Sequence, residues 1–162
     1  MIIEERVERS QYVKLITWIV SFIILMAGIV FPVLILWVNQ DMMSKVIGAS
    51  VLCLIFFTLI FTVAYQPRKL ILSETHIIME RILGQVYISY SDITDISLYH
   101  RENVAEIRIF GIGGLGGYIG KFYNSKIGFY TAYVGDYSQA FLIKINNREK
   151  YVMSCRHAEK IV

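Results

Sequence analysis

The chain reads as an α+β membrane protein: a two-helix transmembrane hairpin, then a small antiparallel β-barrel with a short C-terminal helix. Three observations predict this. Residues 15–38 and 46–65 form two apolar runs without an acid, a base or a His, each close to the roughly 20 residues a helix needs to cross a hydrocarbon core. From residue 66 onward the pattern changes to short alternating runs separated by turn residues. The 56% hydrophobic content and mean hydropathy of +0.53 exceed those of an ordinary soluble protein, and the excess sits in the first 65 residues.

Residues 1–14 are a short leading segment of mixed charge, Glu4, Glu5, Arg6, Glu8 and Arg9 among them. The first apolar run comes after this charge and is too long for the apolar core of a cleaved signal peptide. Residues 39–45 are a polar break that turns the two runs into a hairpin. Arg6, Arg9 and Lys14 precede the first run and Arg68 and Lys69 follow the second, against Lys45 alone in the break. This five-to-one bias places both termini in the cytoplasm. Trp18 and Trp37, near opposite ends of the first run, and Tyr65, ending the second, suit the two headgroup belts. Pro32 removes one helical hydrogen bond and predicts a kink. Proton relays and ion pathways usually need ionisable groups inside the membrane, which disfavours a channel or transporter acting alone.

Strands are expected at 69–72, 76–82, 85–90, 93–98, 106–110, 127–134, 140–145 and 150–153. Turns fall at Ser73 to Thr75, at Leu83 and Gly84, and at Gly135 to Ser138. Polar loops fall at residues 100–103 and 146–149, and a glycine-rich loop at residues 111–120. Ser154 is positioned to cap a terminal helix over residues 155–161. Such a series of short strands argues for an antiparallel barrel or sandwich.

This layout resembles the bacterial pleckstrin-homology-like families, in the membrane-tethered branch with a glycine-rich segment followed by an aromatic strand. The residues that carry the resemblance run from Arg108 through the glycines to Phe122, then Gly128, Phe129 and Tyr130, then Tyr151 to Ser154, with Tyr90 to Ile93 leading into the fourth strand. It covers about residues 67–162. It implies a small membrane-tethered binding domain, with self-association or a membrane-associated protein as partner. This sequence departs from the family where Cys155, Arg156 and His157 follow Ser154 and where the closing helix is short. Eukaryotic pleckstrin domains hold phosphoinositides with bases around the first hairpin turn. Here that turn, Ser73 to Thr75, has none, which argues against specific phosphoinositide binding.

Other chemistries fit poorly. Gly111, Gly113 and Gly116 match the G-x-G-x-x-G string, but the continuation is aromatic and β-like, with no helix to receive a pyrophosphate. His76, His100 and His157 are scattered, and Cys53 and Cys155 lack ligand spacing, so no metal or other cofactor is expected. No serine stands in a nucleophile context. The region from residue 66 carries twelve Lys or Arg against nine Asp or Glu. That surplus suits an anionic leaflet and is too dilute for nucleic acid.

The expected function is therefore a membrane-anchored binding or scaffolding protein without catalysis. The candidate interaction loop comprises Gly111, Gly113, Gly114, Leu115, Gly116, Gly117, Tyr118, Lys121 and Phe122. Arg68, Lys69 and Arg81 are candidate contacts to the bilayer surface. The alternative is an accessory subunit of a transport or envelope-stress complex. It would dock through the hairpin, where Ala27, Gly28, Gly48, Ala49 and Ser50 permit close helix approach.

Overall fold

A computed structural model describes residues 3–38, 41–101, 106–146 and 148–162. Parts of three expected connections, at residues 39–40, 102–103 and 147, lie outside the described residues.

The leading segment, which carries no sequence signal for a strand, forms β1 (Ile3–Arg6). Helix α1 (Gln11–Val38) follows. It begins four residues earlier than the apolar run because Ser10 Oγ accepts a hydrogen bond from the Val13 amide (3.2 Å) and so caps the first turn. The helix continues through Pro32. Helix α2 (Met42–Ala64) starts within the expected polar break. The Asp41 carboxylate accepts from the Ser44 amide at 2.9 Å, and this bond holds its pKa below the usual carboxylate value. α1 and α2 pack closely where a Cβ on Gly28 would lie 2.7 Å from Ile55 Cδ1. Most of their other apolar side chains, among them Trp18, Phe22, Trp37, Phe57 and Ile60, have no cover.

The β region holds two sheets. β2 (Pro67–Leu72), β3 (His76–Arg81) and β4 (Gln85–Ser89) form an antiparallel meander, and β1 adds to its edge by pairing with β2, Ile3 opposite Leu72 and Arg6 opposite Lys69. A sheet that contains residues before α1 and after α2 holds both outer ends of the helical hairpin at one place. The second sheet contains β5 (Ile93–Tyr99), β6 (Glu106–Gly113), β7 (Tyr118–Asn124), β8 (Gly128–Val134), β9 (Ala140–Ile145) and β10 (Lys150–Ser154) in the order β5-β9-β10-β8-β7-β6.

Five expectations need correction. The barrel does not close, because β6 and β5 remain the two edges of the larger sheet. The sheet is not wholly antiparallel. The chain from β8 to β9 skips one position and β10 fills it, parallel to β8. The glycine-rich loop is a β-hairpin, β6 to β7, and the strand at Tyr118–Asn124 has no counterpart among the expected strands. The terminal α-helix is a single 3₁₀ turn, Ala158–Lys160. Ser154 ends β10 and does not cap it. Its Oγ accepts from the Gly135 amide at 2.9 Å.

Each face of the larger sheet buries its own cluster. Phe141, Ile143 and Met153 join Leu70, Ile77 and Met79 of the meander between the two sheets, with Cys155 and Ala158 packed at one end. On the other face Tyr99, Phe122, Tyr130, Val134, Leu142 and Val152 form a second core. The sheet curls strongly around it, so that Asn124 of β7 donates to the hydroxyl of Tyr99 on β5 (3.1 Å).

Candidate functional site

The glycine-rich hairpin is built against the start of α1. Gly114 donates to the Gly117 carbonyl at 2.9 Å, closing a four-residue turn. The Gly116 amide donates to Thr17 Oγ1 at 2.8 Å, and the Thr17 hydroxyl donates to the Val13 carbonyl at 2.6 Å. A Cβ on Gly116 would collide with the side-chain amide of Gln66, whose Oε1 accepts from Arg9 Nη2 at 2.6 Å. One short segment thus joins residues from before α1, inside α1, after α2 and within the hairpin. Val13, whose carbonyl accepts the Thr17 hydroxyl, is fully buried.

Further along the ladder Gly111 and Gly120 face each other, both with positive φ (117° and 123°). A Cβ on either would run into the carbonyl before or beside its partner, Ile119 O for Gly111 and Phe110 O for Gly120. Only glycine lets the strands approach there.

These contacts divide the candidate loop. Gly114, Gly116, Gly117 and Phe122 are buried, and Leu115 and Tyr118 are half-buried, while Gly111, Gly113 and Lys121 are exposed. The glycines at the turn therefore serve the joint between helix and β region. Of the candidate bilayer contacts, Arg68 is exposed, and Lys69 pairs with Glu4 of β1 at 3.1 Å. Arg81 is half-buried with its guanidinium over the rings of Tyr65 (5.2 Å) and Tyr133 (5.6 Å).

The exposed apolar surface lies beside the expected loop, on edge strand β6. Ile107, Ile109 and Phe110 are all exposed, Phe110 at 72%. Ile107 stands opposite Tyr123, and Tyr123 opposite Phe129, so a row of apolar side chains crosses three strands, with the Tyr123 and Phe129 rings 5.0 Å apart. A register shift between Arg108 and Phe110 bulges the edge. The three apolar residues within Glu106 to Phe110 were the available sequence signal. Their exposure was not legible, because alternation does not tell an edge strand from a central one.

Where the curled sheet leaves β5 and β6 unpaired, Arg101 and Glu106 bridge the gap. Arg101 Nη2 lies 2.6 Å from Glu106 Oε2, and its guanidinium lies over Tyr118 (5.0 Å) and Tyr137 (4.6 Å). The Glu106 side chain is only 4% exposed and also accepts from the Tyr137 hydroxyl at 2.9 Å. Burial, then the adjacent Glu106 charge, pushes the Tyr137 pKa far upward. Among the described residues, no three His, Cys, Asp or Glu cluster to hold a metal.

The sequence profile of the bacterial PH domain family matches residues 68–162. The chain belongs to this family. No curated protein and no solved structure matches it. The match to the bacterial PH domain starts at Arg68, so β1 and the first turns of α1 lie outside the matched residues and pack onto them. PH domains are binding modules, and in this one the β6 edge is open while the glycine turn is covered.

Proposed function

We propose that the protein is a membrane-anchored binding or scaffolding module. Its helical hairpin spans the bilayer with both ends cytoplasmic, and its PH domain captures an extended segment of a membrane-associated protein along β6. Two apolar helical spans, Gln11–Ile35 (25 residues) and Met42–Ala64 (23 residues), with mean hydropathies of 2.7 and 2.6 and little buried by the rest of the chain, support the anchor. The pairing of β1 with β2 supports termini on one side, and the basic flanks support the cytoplasmic side.

The observation that carries the binding role is the unpaired β6 edge with Ile107, Ile109 and Phe110 exposed. A free edge gives an incoming strand its backbone bonds, and alternate side chains give it specificity. A photo-crosslinking residue at Ile109 in native membranes tests this. A discrete adduct at this position, absent when the probe replaces Tyr87 on β4, supports it. A second copy of the chain and a different protein are told apart by adduct mass. No adduct at Ile109, or the same adducts at both positions, would overturn it.

A second reading, docking of the hairpin into a transport or envelope-stress complex, is favoured by an outward groove on α2 lined by Val46, Ala49, Ser50, Cys53, Leu54 and Phe57. Small residues there admit another helix. Retention of a partner by a chain whose β6 carries Ile109→Lys and Phe110→Glu, and its loss on Ala49→Leu, would select this reading.

A further inference from the structure

The turn between β3 and β4 places two large apolar side chains, Ile82 and Leu83, on the surface at 52% and 58% exposure. The described residues leave about half of each side chain uncovered, and one backbone bond ties the turn to the helix. The Leu83 amide donates to the carbonyl of Ala64, the last residue of α2, at 2.8 Å. The bond satisfies one of the carbonyls left open at the helix end and holds the turn against the helix.

Ile82 completes an apolar groove with Leu59, Ile60, Val63 and Ala64 of α2. Leu59 lies five residues before Ala64, so the groove reaches back about 7.5 Å along the helix at 1.5 Å per residue. The turn therefore overlaps the last part of the apolar helix surface and does not rise above it. Immediately beside it, the Arg81 guanidinium lies 5.2 Å from the Tyr65 ring centre. An aromatic ring with a basic head at that level suits the headgroup belt.

We infer that Ile82 and Leu83 enter the acyl boundary of the leaflet and form a third membrane contact, which fixes the orientation of the PH domain on the bilayer. The occupant is lipid, because the exposed apolar surface of the turn is continuous with that of α2. The inference rests on the reading of α2 as a bilayer helix, and the test separates the two.

The full chain is prepared with Trp18→Phe and Trp37→Phe, and a single tryptophan is then introduced as Phe57→Trp on α2, Leu83→Trp in the turn, or Tyr87→Trp on β4. All three sites are exposed. Each variant is reconstituted into phosphatidylethanolamine–phosphatidylglycerol vesicles with or without brominated acyl chains. For Phe57→Trp and Leu83→Trp, brominated lipid should cut fluorescence about twofold or more, as expected for residues at or below the acyl boundary. Tyr87→Trp should respond to aqueous acrylamide instead. Quenching of Phe57→Trp by brominated lipid, with Leu83→Trp reached only by acrylamide, would overturn the third membrane contact and leave the anchor standing. Failure of lipid to quench Phe57→Trp would overturn the anchor and the third contact together.

Discussion

Thr17 Oγ1 accepts the amide hydrogen of Gly116 across 2.8 Å, so a hydroxyl in the second turn of α1 holds the tip of the β6–β7 hairpin. The same hydroxyl donates to Val13, so helix and hairpin are tied through one side chain. Replacing Thr17 with Val keeps the shape and removes the acceptor. The unpaired Gly116 amide should cost about 1–3 kcal/mol. Thr17→Ser should restore most of it. Thermal unfolding of the detergent-solubilised full chain, with amide exchange at Gly116, reads the difference.

The glycines of the hairpin should not respond alike. Gly111→Ala or Gly120→Ala puts a Cβ into a neighbouring carbonyl at positive φ, with a loss of about 2 kcal/mol or more expected. Gly113 lacks positive φ, and its Cβ would meet Arg108 at an ordinary 3.5 Å, so Gly113→Ala should leave the melting temperature nearly unchanged. Equal melting temperatures for the three variants would show that the ladder does not need paired glycines.

Much of the architecture was legible in the residues. Two uninterrupted apolar runs leave little choice but long helices, and β2 to β5, β9 and β10 fall where alternation and turn residues put them. The glycine stretch misled because glycine ordinarily signals a turn. In β6 and β7, opposed glycines instead permit close strand approach, which requires knowing the register. β1 was hidden for a related reason. Its residues, Ile3, Glu4, Glu5 and Arg6, show little alternation, and the strand exists because β2 offers it an edge after both helices have intervened. The Arg101–Glu106 bridge was illegible because it depends on how far the larger sheet curls.

That bridge makes a separate prediction. Arg101→Met leaves the Glu106 carboxylate buried, with the Tyr137 hydroxyl as its remaining hydrogen-bond donor among the described residues. Arg101 is itself 41% exposed, so the loss should fall between that of an exposed pair and that of a fully buried one, at about 2 kcal/mol. Adding Glu106→Gln should recover part of this, because no uncompensated charge then remains. Chemical denaturation of the single and double variants measures the coupling.

Alkaline pH should loosen the C-terminal end of the core. Burial pushes the Cys155 thiol up to about 11 from an ordinary 9.0. The folded state therefore holds that proton more tightly than the unfolded chain. The stability linked to it is complete below pH 9 and falls as pH rises from 9 through 11. Maleimide should fail to modify Cys155 in the folded protein at about pH 8, where the thiol stays buried and protonated, and react fully in denaturant. Cys155→Ala should flatten part of the decline in melting temperature above the ordinary thiol pKa of 9.0. With Cys53 replaced by Ala, ready modification of Cys155 in the native protein under the same mild conditions would contradict this arrangement.

The strand Ile3–Arg6 has a consequence for biogenesis. It leaves the ribosome before both long helices, yet its hydrogen-bonding edge is made only after them. Arg6 further waits for Arg156, whose amide donates to its carbonyl at 3.0 Å. Ile3–Arg6 is thus made well before its partners, and the newborn chain must keep this segment accessible until residues as far along as Arg156 have been added.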